Sequence, residues 1–290
     1  MRRRVLMAAG LALLFSVFAV AQMPDQYLDV TIARVKPDKR TEFDSINKKM
    51  AEANRKYHGD TWVAMETQYG ENNVVTFVSA RSSYAEAEQG LDAFMGALNK
   101  AYPGGADKTL QEFNNTVVSF RSEFRHRRWD LSANVPGDLA AYAQLVGEAR
   151  WLRTVRVRVK PGHSLEYEAQ LLAIKGALEK ASDKPIITVS QAVAGQEGSV
   201  YYISWLKPSL AGFDGGTSLR QLLGEDAFQG YLKAVADSVQ GSETIINHFL
   251  PELSNPPAEV VAASPDFWTP KPKAMPKPKP MTEAAKPEAK

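Results

Sequence analysis

Residues 34–44 read RVKPDKRTEFD and residues 158–168 read RVKPGHSLEYE, so the chain repeats one short pattern 124 positions apart. In each copy, apolar residues alternate up to Val-Lys-Pro, which is typical of a strand. The proline then ends the strand, because it has no N–H to donate to a sheet. Apolar and aromatic residues at helical spacing follow. Each copy therefore predicts a strand that leads directly into a helix.

The repeat extends along most of the chain. Residues 70–80 read GENNVVTFVSA and align with GQEGSVYYISW at 195–205, while HRRWDLS at 126–132 aligns with HFLPELS at 248–254. Landmarks that match at the beginning, middle and end of each copy indicate an internal duplication. Each copy is predicted to have the order β-α-β-β-α-β, which is that of a ferredoxin-like unit.

These landmarks divide the 290 residues into five segments. The predicted segments are a signal peptide at 1–21, a first ferredoxin-like repeat at 22–132, a linker with a short helix at 133–150, a second ferredoxin-like repeat at 151–254 and a Pro- and Lys-rich tail at 255–290. The stretch PKPKAMPKPKP alternates proline with basic residues and favours neither helix nor sheet. The tail is therefore predicted to be disordered.

A strand that ends in VKPG at 159–162, followed by EYE at 166–168, resembles the opening of the dimeric α/β-barrel superfamily, and in particular its antibiotic-biosynthesis-type monooxygenase domains. The first copy departs from this pattern at Asp38, where the glycine would stand. The resemblance implies an α+β fold in which two ferredoxin-like units pair sheet to sheet. Because this chain contains both units, we expect an intrachain α/β barrel.

The first residues are typical of a secretory signal. MRRR precedes an apolar stretch that ends in Ala-Val-Ala at 19–21, so cleavage before Gln22 is expected. The product would then be periplasmic or secreted, with no stable membrane span. The chain has no cysteine, which excludes disulfides and thiolate sites. Its formal net charge is only +2, and three of its arginines lie in the signal, so nucleic acid is not an expected partner.

The sequence contains none of the common catalytic motifs, and its candidate catalytic residues are scattered. Glu66 lies among aromatic residues on a predicted strand, which makes it a candidate for proton transfer. His126 and His248 hold matching places on the last strand of each copy, and imidazoles can act as bases or as haem ligands. The alternative is that both histidines are structural. Neither has a neighbour at ligand spacing, so no metal site is predicted.

A second group of residues could bind a ligand at the barrel. Guanidinium groups hold carboxylates or phosphates by paired hydrogen bonds, and aromatic side chains line apolar pockets. The candidates are Arg34, Arg156, Arg158, Trp62, Tyr202 and Trp205, and the last strand of the first copy adds arginines at 121, 125, 127 and 128. The alternative is that the arginines face solvent and the aromatic residues form the core.

Three functions stay open. The favoured prediction is an exported, soluble protein that binds a small hydrophobic or anionic ligand in or at the barrel, with no cofactor evident. The resemblance also implies an enzyme, either a cofactor-independent monooxygenase or a haem-handling protein, and the lack of catalytic motifs does not exclude one. A third alternative is an interaction module whose basic tail contacts anionic envelope polymers weakly.

Overall fold

The computed structural model describes residues 23–269. The predicted signal peptide at 1–21 and residues 270–290 of the predicted tail therefore lie outside the described residues. The first repeat consists of β1 (Tyr27–Val35), α1 (Arg40–Tyr57), β2 (Val63–Tyr69), β3 (Val74–Arg81), α2 (Tyr84–Ala101), α3 (Gly105–Thr116) and β4 (Val117–Arg127).

A linker helix, α4 (Leu139–Glu148), leads to the second repeat, which has the same order of elements. This repeat consists of β5 (Trp151–Val159), α5 (Ser164–Lys180), β6 (Thr188–Ala194), β7 (Ser199–Lys207), α6 (Leu219–Leu223), α7 (Glu225–Ser238) and β8 (Val239–Phe249). Two short helices follow it, α8 (Ala258–Ala263) and α9 (Pro265–Trp268).

The two quoted stretches form equivalent turns. Lys36 donates its backbone N–H to the Thr116 carbonyl oxygen at 2.9 Å, and Lys160 donates to the Ser238 carbonyl oxygen at 2.8 Å. A proline follows each lysine and stops the ladder, because it has no N–H. In the second copy Gly162 then takes a φ of 85°, which favours glycine. The first copy has a short 3₁₀ turn at this place instead.

Pairing between the repeats closes the sheet. In each repeat the first strand lies between the third and fourth strands, and the second strand lies beside the third. The edge strand β2 pairs with β8, and β4 pairs with β6, both antiparallel. The strand order β1-β3-β2-β8-β5-β7-β6-β4 forms a closed barrel. The expected α+β fold is confirmed: two tandem ferredoxin-like repeats form one intrachain barrel, as the superfamily resemblance implies.

The strand pairing shows that one part of the sequence alignment between the repeats, residues 74–80 with 199–205, is out by one residue. Val30 pairs with Val78 in the first repeat, and Thr154 pairs with Ser204 in the second. Val30 and Thr154 are equivalent, so Val78 corresponds to Ser204, one residue beyond the alignment of 70–80 with 195–205. By the same register Tyr202 corresponds to Thr76, and both side chains face the barrel interior.

The long helices cover the outer face of the barrel. In the first repeat, Ala33 and Val75 face outward and pack with Phe43 of α1. In the second repeat, Val157 packs in the same way with Tyr167 of α5. The core therefore lies between strands and helices, and the side chains that face inward surround a separate interior. Within residues 23–269, no helix is both long enough and apolar enough to cross a bilayer.

One end of the barrel is covered by α4 together with α8 and α9. Trp268 is 1% exposed, donates its Nε1–H to the Gly147 carbonyl oxygen at 2.8 Å and packs against Phe249. Val260 of α8 belongs to the same apolar cluster. This corrects the prediction of a disordered tail from 255 onward. Residues 258–268 are helical because Val260 and Trp268 bury apolar surface, and the proline–lysine run begins only at 270.

Gly147→Ala tests the close packing of α4 on α8. A Cβ at this position would lie 2.4 Å from the Val260 carbonyl oxygen and 2.6 Å from the Ala263 Cβ. The free energy of unfolding should therefore fall by about 1–3 kcal/mol, the usual cost of overpacking. Gly96→Ala in α2 is the control, since a Cβ there meets nothing within 4 Å. It should raise the free energy of unfolding by about 0.5–1 kcal/mol through helix propensity. Urea unfolding measures both, and a neutral Gly147→Ala would contradict this packing.

Candidate functional site

The side chains that face inward enclose a cavity of about 680 Å³. Sites for small ligands usually have volumes of roughly 300–1,000 Å³. Apolar side chains form much of the lining, among them Leu28, Ile32, Val63, Met65 and Ile245. The interior is therefore large enough, and apolar enough, to hold a small molecule.

The cavity has a closed end and an open end. Tyr142 of α4 lines the end at which β1 begins and β4 finishes. Two ion pairs line the opposite end, Arg34 with Glu71 and Arg156 with Glu243, each at 3.0 Å. The side chains of Arg34 and Glu71 are both 55% exposed, so this end opens to solvent. A ligand would enter through this charged mouth and extend toward the closed end.

A buried ionic network lies in the cavity wall. Glu123 of β4 is 2% exposed, accepts a hydrogen bond from the Tyr202 hydroxyl at 2.7 Å and pairs with Arg125 at 2.6 Å. Arg121 pairs with the other carboxylate oxygen at 3.0 Å, and the Gln196 amide also donates to that oxygen. Arg125 lies 3.6 Å from the centroid of the Tyr202 ring. One carboxylate thus fixes four side chains around it.

This network shifts two pKa values in opposite directions. Burial acts to raise the pKa of Glu123, but the charge of Arg125 and the hydrogen bonds from Tyr202, Arg125 and Gln196 outweigh it, so the pKa lies below its usual value. Burial raises the pKa of Tyr202 to about 12. At neutral pH Glu123 is therefore ionised and Tyr202 is protonated. The network is a fixed electrostatic element and is poorly suited to proton transfer.

Arg127 differs from the other arginines of the lining. It is 7% exposed, lies near the closed end, and its Nε has no hydrogen-bond partner within residues 23–269. Its guanidinium carbon lies 5.3 Å from the centroid of the Trp129 ring and 5.4 Å from that of Tyr142. Its backbone N–H donates to the backbone carbonyl oxygen of Gln26. The buried side-chain Oε1 of Gln26 also lacks a partner among the described residues. The other arginines of the lining each pair with a glutamate.

The structure brings three of the predicted ligand-binding residues to the cavity, and these are Arg34, Arg156 and Tyr202. Trp62 instead lies in the core outside the barrel wall, where its Nε1–H donates to the Leu253 carbonyl oxygen at 2.8 Å. Trp205 also lies on the outer face, packed in the second repeat's core. Arg158 lies on the side of β5 that faces inward, but it does not line the cavity.

The three predicted catalytic residues lie outside the cavity, and only Glu66 and His248 are neighbours. Glu66 points outward and pairs with Arg40 at 2.7 Å. His248 is opposite Glu66 on the β2·β8 seam, with its ring 4.6 Å from that of Trp151. His126 lies on the β4·β6 seam, across the barrel.

The cavity provides no histidine ligand for a haem group, because none of the four histidines lines its wall. Within residues 23–269 no group of His, Asp and Glu side chains is arranged to hold a metal ion. The chemistry of the cavity is that of arginine, glutamate, hydroxyl and apolar side chains.

Sequence reasoning missed Glu123 and underrated Arg127. Both lie on β4, in the run SFRSEFRHR, where charged residues alternate with a period of two at 121, 123, 125 and 127. Alternation of this kind shows that the charges share one face, but it does not show whether that face points to solvent or to the barrel interior. Because the barrel closes, the shared face of β4 points inward.

Comparison with known proteins adds a likeness in fold. No family model and no curated protein matches the sequence. An anthrone oxidase-like protein has 12% identity and a TM-score of 0.48, with 79% of this chain and 93% of that chain covered. A chlorite dismutase from Candidatus Nitrospira defluvii, in complex with imidazole, has 10% identity and a TM-score of 0.43, with 78% and 92% covered. At these levels the likeness carries nothing about the activity of this chain.

Glu123→Gln removes the charge that Arg121 and Arg125 share. The free energy of unfolding at neutral pH should fall by about 3–5 kcal/mol, because one partner of a buried ion pair is lost. Glu71→Gln is the matched control, since its pair with Arg34 is exposed and should be worth less than about 1 kcal/mol. Urea unfolding compares the two variants.

The effect of Glu123→Gln should also depend on pH. The folded pKa of Glu123 lies below the value of 4.5 taken for the unfolded chain. Its stabilisation is therefore complete above that value and is lost as the pH falls through the folded pKa. The difference in unfolding free energy between wild type and Glu123→Gln should shrink in acid. A difference that stays constant from neutral pH to about pH 3 would contradict this account.

Proposed function

We propose that this protein binds a small, largely apolar molecule inside its barrel. The observation that carries the proposal is the cavity of about 680 Å³, which α4 covers at one end and which opens to solvent at the other. An interior that was needed only for stability would be filled by side chains, because protein cores pack densely.

Binding is favoured over catalysis by the chemistry of the lining. Glu123 has a lowered pKa and Tyr202 a raised one, so neither titrates near neutral pH. Glu66, His126 and His248 do not line the cavity, and their placement lends no support to an enzyme that works there. The role that the geometry supports is that of a receptor or carrier.

The same proposal includes export, which rests on the sequence of residues 1–22. A chain of 290 residues produced in an exporting bacterial host should yield a periplasmic or secreted product that begins at Gln22. Intact-mass measurement tests this directly. A product that retains residues 1–21 would contradict cleavage, whatever the barrel binds.

Ile245→Trp should block the cavity, because the indole would occupy space inside the barrel. Ile246→Trp is the matched control, since Ile246 follows on β8 and does not line the cavity. The probe is N-phenyl-1-naphthylamine, a neutral apolar dye that fluoresces when it leaves water. Wild type and Ile246→Trp should bind it alike, and Ile245→Trp should bind about tenfold more weakly or worse, a loss of about 1.4 kcal/mol or more.

Two results would count against the proposal. If the wild-type barrel does not bind the dye, the cavity is not an apolar binding site. If Ile245→Trp binds as the wild type does, the dye binds elsewhere. Native mass spectrometry of gently purified residues 22–290 gives an independent reading, because a natural ligand would appear as added mass.

A further inference from the structure

We propose that the ligand carries one anionic group, and that Arg127 binds this group at the closed end of the cavity. This inference rests on the proposed function and specifies the class of ligand: an apolar molecule with a single carboxylate or a similar singly charged group. The mouth arginines would then attract the ligand, and Arg127 would determine where its charge comes to rest.

Arg127 is buried without a carboxylate partner among the described residues. Arg127 is 7% exposed, and its Nε has no hydrogen-bond partner in the described part of the chain. Burying a charged group without a partner is costly, so such groups are normally paired. A second arginine with an unpaired Nε, Arg81, has both of its terminal nitrogens bound to Asp60, at 2.7 and 2.6 Å. Within residues 23–269 Arg127 has no such carboxylate.

The fold does not require an arginine at position 127. The β4 and β8 strands are equivalent, and His126 corresponds to His248, so Arg127 corresponds to Phe249. Phe249 is 1% exposed and packs with Trp268 in the apolar cluster at the closed end. The second repeat thus fills this position with an apolar side chain. A charge at the same place in the first repeat points to a use beyond packing.

Arg127 also indicates the charge of the ligand. At the closed end Arg127 makes no ion pair with a carboxylate within the described residues, so one negative charge placed there would compensate it. A doubly charged phosphate at this end would bring a second charge that Arg127 alone does not compensate. Ser190 pairs with Arg127 across β4 and β6, and both Ser190 and Tyr142 line the cavity. Each carries a hydroxyl that can donate a hydrogen bond to an anion at this end.

Aromatic rings hold the guanidinium without using its N–H groups. Trp129 and Tyr142 lie within cation–π distance, at 5.3 and 5.4 Å. Leu28, Val63 and Leu152 line the same end of the cavity. An anion at this end would interact with Arg127 in a low-dielectric environment, where a charge-assisted hydrogen bond is strong.

A matched pair of dyes tests this inference. 8-Anilino-1-naphthalenesulfonate has the ring system of N-phenyl-1-naphthylamine with one sulfonate added. The wild type should bind the sulfonate dye at least about tenfold more tightly than the neutral dye. Arg127→Met should abolish that preference and leave the affinity for the neutral dye within about twofold. Arg127→Lys, which keeps the charge, should retain part of it. Arg220→Met is the control, because it removes an exposed arginine from the outer surface.

The outcomes separate this inference from the proposed function. If neither dye binds the wild type, the proposed function fails. If the neutral dye binds but the sulfonate brings no preference, or if Arg127→Met keeps the preference, the barrel binds ligands and the role of Arg127 is wrong. Circular dichroism of each variant distinguishes dye bound to the folded barrel from dye bound to a disordered chain.

An NMR measurement on the wild-type protein tests the same inference without any variant. The side-chain Nε–H resonance of Arg127, assigned by triple-resonance NMR, should move on addition of the sulfonate dye and should not move on addition of the neutral dye. Movement of the Arg34 or Arg156 resonance in place of Arg127 would locate the anion at the mouth and overturn the inference.

Discussion

The pairing of β2 with β8 and of β4 with β6 is the constraint on which the rest of the structure depends. A lone ferredoxin-like sheet would leave the backbone groups of β2 and β4 unpaired along two edges, and such edges invite association with other chains. The second repeat satisfies both edges within the same chain. Once the sheet is closed, the side chains that face inward share one interior, and α4 covers an end of it. The duplication therefore accounts for the cavity as well as for the fold.

The two repeats contribute unequally to that interior. Along β4 the inward positions carry Arg121, Glu123, Arg125 and Arg127, whereas the equivalent positions of β8 carry Glu243, Ile245, Asn247 and Phe249. The backbone scaffold is the same in both halves, so the fold itself does not demand these charges. Retaining a buried glutamate between two arginines costs desolvation energy that an apolar lining would avoid. The divergence of β4 from β8 is the strongest sign that one half of the barrel is specialised.

Much of the architecture could be predicted from the sequence, because it depends on local signals. The VKP turns, the alternating strands and the repeated landmarks determine the order of elements, and the barrel follows from two such units in one chain. The site was harder to predict, because the direction in which a strand face points depends on closure and register. Trp62 and Trp205 were expected at the ligand but face the outer core, and the charges on β4 resemble those of a solvent-exposed strand. Residues 258–268 were missed because their helices depend on long-range burial of Trp268.

One chain closes its own barrel, and an engineered disulfide tests this closure most directly. Thr67 and Asn247 are partners across the β2·β8 seam, with their side-chain oxygens 3.0 Å apart. Directly opposed residues of an antiparallel pair are close enough for a disulfide, and the chain has no other cysteine to interfere. After oxidation of the Thr67→Cys/Asn247→Cys variant, non-reducing mass spectrometry should give an internally linked monomer at every protein concentration. A covalent dimer, formed between β2 of one chain and β8 of another, would contradict the account.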